Sequence, residues 1–172
     1  MSPARRLLIG AIVLITATVG YALGRVMLRP VEAISQPIAF DHRLHTRDLE
    51  IECDTCHEFY ENAQHSGLPT LTTCLGCHEE GDEDSSELQK MTQLAAAGEL
   101  DVFRKLFRVA DHTYYSHRRH VGIAEIDCAI CHGPIADSTS PPAEPLVHIN
   151  MDFCLDCHQQ SDVSDDCTRC HR

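Results

Sequence analysis

Cys53-Asp54-Thr55-Cys56-His57 opens a series that returns as Cys74-Leu75-Gly76-Cys77-His78, Cys128-Ala129-Ile130-Cys131-His132, Cys154-Leu155-Asp156-Cys157-His158 and Cys167-Thr168-Arg169-Cys170-His171. These five copies of Cys-x-x-Cys-His use all ten cysteines. Two thiols three residues apart can add to the two vinyl groups of one haem while the next residue's imidazole reaches its iron. Each motif reads as one covalently held c-type haem, five in all, with His57, His78, His132, His158 and His171 as proximal ligands.

A Cys-x-x-Cys pair also makes zinc half-sites and thioredoxin-like redox pairs, and ten cysteines could close five disulfides. None of those chemistries requires histidine directly after the second cysteine. A disulfide framework would not confine every cysteine to pairs three apart. Five occurrences out of five decide for haem.

An internal repeat surrounds the motifs. In Phe40-Asp41-His42-Arg43-Leu44-His45, His42 stands eleven residues before Cys53; in Tyr115-Ser116-His117-Arg118-Arg119-His120, His117 stands eleven before Cys128. The run-in matches too, Glu50-Ile51-Glu52-Cys53 against Glu125-Ile126-Asp127-Cys128. The simplest parse gives a first two-haem module over residues 31–80, a second over 112–160 and an appended fifth motif over 161–172. Residues 1–30 form an amino-terminal stub and anchor, and 81–111 an acidic, amphipathic helical connector.

In the connector, Glu79 to Asp84 (EEGDED) is an acidic surface run, a solvated face rather than a docking site. Asp84-x-x-Glu87 fits a capping box for a helix whose Leu88, Met91, Leu94 and Ala95 share one stripe, with Gly98 placed to stop it. A second short amphipathic piece, Val102-Phe103-Leu106-Phe107, is expected to pack toward the haem core.

Twelve histidines less the five proximal ones leave His42, His45, His65, His112, His117, His120 and His148 as candidate distal ligands. A low-spin electron carrier needs both axial positions filled. The repeat favours His42, His45, His117 and His120, and each His-x-x-His is expected to bridge two neighbouring haems. For the fifth distal ligand His65 ranks first, with Met151 and His148 as alternatives and His112 last.

Leu7 to Gly24 is an uncharged stretch of 18 residues flanked by Arg5-Arg6 and by Arg25 and Arg29. A cleaved secretory signal has a shorter apolar region and a small-x-small site, so an uncleaved single-pass signal anchor over about 7–24 is expected. Gly10, Gly20 and Gly24 leave room for a partner helix. Covalent haem attachment in bacteria happens outside the cytoplasmic membrane, which places Ile34 to Arg172 on the periplasmic side of the inner membrane.

Roughly 140 exterior residues for five haems are too few for a side-chain core around each, so the porphyrins must be the core. The fold class expected is a mostly irregular and helical, haem-packed multihaem fold with short helices and little or no sheet, behind one transmembrane helix. The net charge of −12 does not suit nucleic acid.

The Phe-x-His-x-x-His run followed by paired Cys-x-x-Cys-His resembles class III multihaem cytochromes c over nearly all of residues 38–172. The anchor, Gln36-Pro37-Ile38-Ala39-Phe40-Asp41-His42, Gln64-His65-Ser66-Gly67-Leu68-Pro69, Tyr115 to Val121 and Met151 to His158 are similar to the multihaem subunit of alternative complex III and of related periplasmic menaquinone reductase complexes. The resemblance implies integral membrane quinone-binding subunits and an iron–sulfur, molybdopterin-type-like subunit as partners, with a periplasmic electron carrier. It also implies distal ligands at His42, His45, His65, His117 and His120. The chain stops at Arg172, so any further haem or extension seen in some relatives is absent from this sequence.

The leading function is therefore an electron-transfer subunit of a membrane quinone oxidoreductase, not an enzyme in its own right. The alternative is a free-standing quinol dehydrogenase anchor feeding a periplasmic reductase. A multihaem nitrite or sulfite reductase needs an iron with one free axial position and nearby proton donors. No motif here carries lysine in place of its histidine, and spare histidines outnumber the irons.

Overall fold

The structure is a computed structural model that describes residues 2–27, 33–78 and 85–171; the acidic run Glu79 to Asp84 lies outside them. The chain divides into two units, Met1–Ala33 and Ile34–Arg172.

The first unit is one helix, α1 (Pro3–Met27). Ser2 caps it, its carbonyl accepting from the Arg5 amide at 3.1 Å, and Pro3 occupies the first helical position, where a missing N–H costs nothing. Its 25 residues span about 37 Å, more than the roughly 30 Å of a bilayer's hydrocarbon core. The two hydroxyls in its middle are satisfied internally: Thr16 donates to Ile12 and Val13, and Thr18 to Leu14 and Ile15, at 2.9–3.1 Å. That suits an apolar surround in which no water is available to pair them. This helix is a candidate membrane anchor or signal segment by length and composition.

The second unit holds only short elements. In chain order these are a π-helical turn (Leu44–Asp48), a 3₁₀ turn (Cys53–Thr55), α2 (Leu71–Leu75), α3 (Ser86–Ala96), a second π-helical turn (Arg118–Ile123), α4 (Cys128–His132), a 3₁₀ turn (Ile135–Asp137), α5 (Met151–Gln160) and α6 (Cys167–Cys170). No strand occurs among the described residues; Thr113 and His171 form one isolated antiparallel bridge. Buried apolar side chains among the described residues are three, Ile38, Leu71 and Met91, of which Leu71 is fully buried. Leu88, Leu94, Ala95, Val102 and Phe103 pack round them.

The stripe on α3 faces this cluster, as the spacing of Leu88, Met91, Leu94 and Ala95 predicts. The cap differs. Ser85 accepts from the Leu88 amide, at 3.4 Å, Asp84 lying outside the described residues, and Glu87 is drawn off to bond the Ala39 amide at 2.7 Å. Gly98 stops the helix as expected. Its φ of +81° lets its amide reach Ala95 while the Glu99 amide reaches Leu94, both at 3.0 Å, closing the helix in a Schellman turn. Past it, residues 99–110 are irregular rather than helical. There the Gln36 side chain takes both backbone groups of Arg104: its amide donates to the Arg104 carbonyl at 2.7 Å and accepts from the Arg104 N–H at 2.9 Å, so neither is free for a helix.

The two π-helical turns dock reciprocally. Arg43 N–H donates to the Ser138 carbonyl at 3.1 Å, and Arg118 N–H, the equivalent residue of the second repeat, donates to the Ala63 carbonyl at 3.0 Å. The first contact is reinforced by Thr46 on the Ala136 carbonyl and an exposed Arg47–Asp137 ion pair, both at 2.8 Å. The second has no room for a side chain, since a Cβ on Gly122 would stand 2.9 Å from Glu61 Cα and directly against its carbonyl oxygen. Each turn is thus seated on the loop that follows the other repeat's first Cys-x-x-Cys-His. Gly122→Ala is expected to destabilise the haem-loaded protein by about 1–3 kcal/mol in guanidinium unfolding followed by circular dichroism. Gly20→Ala, with open space around it, should leave the midpoint unchanged.

Candidate haem sites

Cysteine, cysteine and histidine at positions one, four and five of a helical turn lie on one face. The structure makes that turn repeatedly: the amides of His57, His78 and His171 donate to the carbonyls of Cys53, Cys74 and Cys167 at 2.9–3.0 Å. Side chains just before the motifs start the turns. Asp127 accepts from Ala129 N–H, Asp166 from Thr168 N–H, and Asn150 from Phe153 N–H, all at 2.7–2.8 Å. None of the ten cysteines is joined to another in a disulfide. Burial pushes Cys56, Cys74, Cys128, Cys131 and Cys154 above the ordinary thiol range, unlike the low-pKa thiols of redox pairs. No group of three or more His, Cys, Asp or Glu side chains suited to a metal ion occurs among the described residues.

The His-x-x-His segments bring second imidazoles to the motif histidines. His45 faces His78 with ring centres 6.3 Å apart, His117 faces His132 at 6.2 Å, and His120 faces His158 at 6.2 Å. Two imidazoles on opposite sides of one metal, each nitrogen about 2 Å from it, have ring centres about 6 Å apart. His42 lies by His57: burial first, then the charges of His57 and His45, lower its pKa to about 4. It stays neutral, the form that binds metal, well below physiological pH. Burial holds His117 and His132 below the ordinary imidazole range as well.

Hydrogen bonds set which nitrogen is bare. The Nδ1 atoms of His45, His57, His117, His120 and His158 meet the carbonyls of Asp41, Gly67, Gln64, Ser116 and Ser164 at 2.8–3.2 Å. A carbonyl only accepts, so Nδ1 carries the proton and Nε2 keeps the lone pair for a metal. His42 and His171 bury Nδ1 without a hydrogen-bond partner among the described residues, so no described contact fixes their tautomer.

Aromatic shelves orient the paired rings identically in both repeats. Phe40 stacks on His45 (4.4 Å, 29°) and meets His42 edge-on (4.8 Å, 89°). Tyr115 stacks on His120 (4.7 Å, 25°) and meets His117 edge-on (5.0 Å, 85°). Burial pushes the Tyr115 hydroxyl up to about 12, so it serves as a neutral ring. The two histidines of each segment therefore point in different directions, toward different motifs. The inserted residue of each π-helical turn, closed by Leu49 N–H on Leu44 and Ala124 N–H on Arg119 at 3.0 and 3.2 Å, accompanies that divergence. The donor set, the ring spacings and the shortage of buried side chains all fit haem.

Residues 26–97 match the class III cytochrome c family, and residues 113–172 match cytochrome c7 and related cytochromes c. The chain carries class III and c7-type multihaem cytochrome c domains. The multihaem cytochrome c subunit of menaquinone reductase from Nitratidesulfovibrio vulgaris is homologous, 28% identical over 117 residues. The match takes in 62% of this chain and spans only about half of that relative, 56% of its length.

In this cytochrome the remaining candidates stand apart from those pairs. His65 is exposed and makes no ring contact with a motif histidine among the described residues; its charge instead helps lower His117. His148 is exposed, and Met151, the first residue of α5, is 59% exposed. The imidazole beside His171 is His112, the candidate ranked last on sequence, with ring centres 5.2 Å apart. Sequence reading also missed the carbonyls of Gln64, Gly67 and Ser164, which no residue type advertises, and the edge of Phe107 against His132 at 4.4 Å.

His45→Ala should turn the haem at Cys74 and Cys77 high-spin, and His120→Ala the one at Cys154 and Cys157, with haem per chain unchanged. Electron paramagnetic resonance of the oxidised variants, combined with haem quantification, reads both effects.

Proposed function

We propose that the chain is a membrane-anchored pentahaem c-type cytochrome. It passes electrons between a quinone-reactive membrane complex and periplasmic redox partners as a subunit of a quinone:acceptor oxidoreductase. The observation that carries this reading is the pairing of motif histidines with second histidines at one repeated spacing of 6.2–6.3 Å. Reversible one-electron transfer is the chemistry the haems supply when bound. A motif histidine and a second histidine facing it would together hold the iron and keep substrate from it, which favours a carrier over a reductase.

The residues also order the sites. The cysteines that lie near one another name the neighbouring motifs: Cys56 by Cys77, Cys128 by Cys53, Cys131 by Cys157 and Cys154, and Cys154 by Cys170. That succession runs second motif, first, third, fourth, fifth. The reciprocal docking of the π-helical turns supports it, because the docked loops follow the first and third motifs.

Partnership with quinone-binding membrane subunits and an iron–sulfur subunit is supported by the homologous menaquinone reductase subunit. The apolar helix α1 supports attachment to the inner membrane with residues 34–172 in the periplasm. Purification from native membranes should yield a stable multisubunit complex containing quinone, with five haems on this chain by mass. A single soluble reductase as the only partner would favour a free-standing quinol dehydrogenase instead, and fewer than five haems would undo the pentahaem assignment.

A further inference from the structure

The last motif is not appended freely. Asp166 starts α6 by accepting from both the amide and the hydroxyl of Thr168 at 2.8 Å, and the His171 amide closes the turn on Cys167 at 2.9 Å. The motif is then stitched to the segment leading into the second repeat. Thr113 and His171 form the antiparallel bridge, and Tyr114 N–H donates to the Cys170 carbonyl at 2.6 Å. Thr113 N–H closes a tight turn on Ala110 at 2.8 Å, with His112 inside it. This register lays the His112 ring alongside His171, centres 5.2 Å apart and planes 28° from parallel. His171 buries an Nδ1 with no hydrogen-bond partner among the described residues, as does His42.

We infer that His112 is the distal axial ligand of the haem held by Cys167, Cys170 and His171. The inference rests on the reading above that the fifth motif carries haem. The rings stand about 1 Å closer than the 6.2 Å pairs, so seating a metal parts them slightly. The exposed turn bearing His112 can yield by that amount while the bridge holds the register. His112 is as exposed as the other candidates, His65, His148 and Met151, but only it is brought to His171 by a described contact. Pro37 occupies the position of the first repeat equivalent to His112, so the arrangement belongs to the second repeat alone. That repeat then supplies distal ligands to three motifs, through His112, His117 and His120.

The test compares His112→Ala, His65→Ala, His148→Ala and Met151→Leu in the full chain, matured with haem. Readouts are haem per chain, the spin state of the oxidised protein and carbon monoxide binding by the reduced protein. His112→Ala is expected to keep its haem content, gain one high-spin, carbon monoxide-binding haem per chain and return to low spin with added imidazole; the other three should stay low-spin. An all-low-spin His112→Ala, or a high-spin haem arising from one of the other three instead, overturns the inference. His112→Met guards against misfolding: a new methionine-ligated low-spin signal supports the assignment, and an unchanged spectrum defeats it. A wild-type chain with four haems and free Cys167 and Cys170 also overturns it, by haem count rather than spin state, and so marks failure of the pentahaem reading itself.

Discussion

The bond from a histidine Nδ1–H to a backbone carbonyl is the interaction on which the Ile34–Arg172 unit depends. It decides which nitrogen is bare and where that nitrogen points, and it recurs at His45, His57, His117, His120 and His158. Little else could fix those directions. Burying Ile38, Leu71 and Met91 contributes about 1.5–3 kcal/mol each, whereas ordering each residue of backbone costs about 1–2 kcal/mol. The polypeptide acts as a harness whose apolar filling is the porphyrin, and carbonyls in irregular loops are well suited to it because no strand or long helix claims them.

The two repeats are related like the halves of an isologous dimer. Arg43 on Ser138 and Arg118 on Ala63 are one contact made twice, with roles exchanged. The aromatic shelves, the π-helical turns and the left-handed Glu50 and Glu125, at φ of 54° and 53°, repeat with them. The symmetry fails at the ends. The first repeat leans on α3 and the Ile38–Leu71–Met91 cluster, while the second carries the bridge to the last motif.

Much of this was legible in the sequence because it is written in short spacings. Cys-x-x-Cys-His fixes a helical face within five residues, and the matched His-x-x-His offsets reveal the repeat. The α3 stripe and its Gly98 stop follow from period and backbone chemistry. What escaped depends on contacts across long stretches of chain. Ser85 caps α3 while Glu87 is committed to Ala39, and Gln36 binds the backbone of Arg104 from far upstream. His112 has no repeat partner and no motif around it. Its neighbour across the bridge is nearly sixty residues away, so nothing local raised it above His65.

The reciprocal seating of the two turns bears on how such a chain is made. A polypeptide emerging amino end first presents residues 43–47 long before the loop at 136–138 that holds them. Until the second repeat arrives, the turn at Leu44–Asp48 lacks the loop on which it sits. A chain severed between the repeats would leave two fragments each missing the other's cradle.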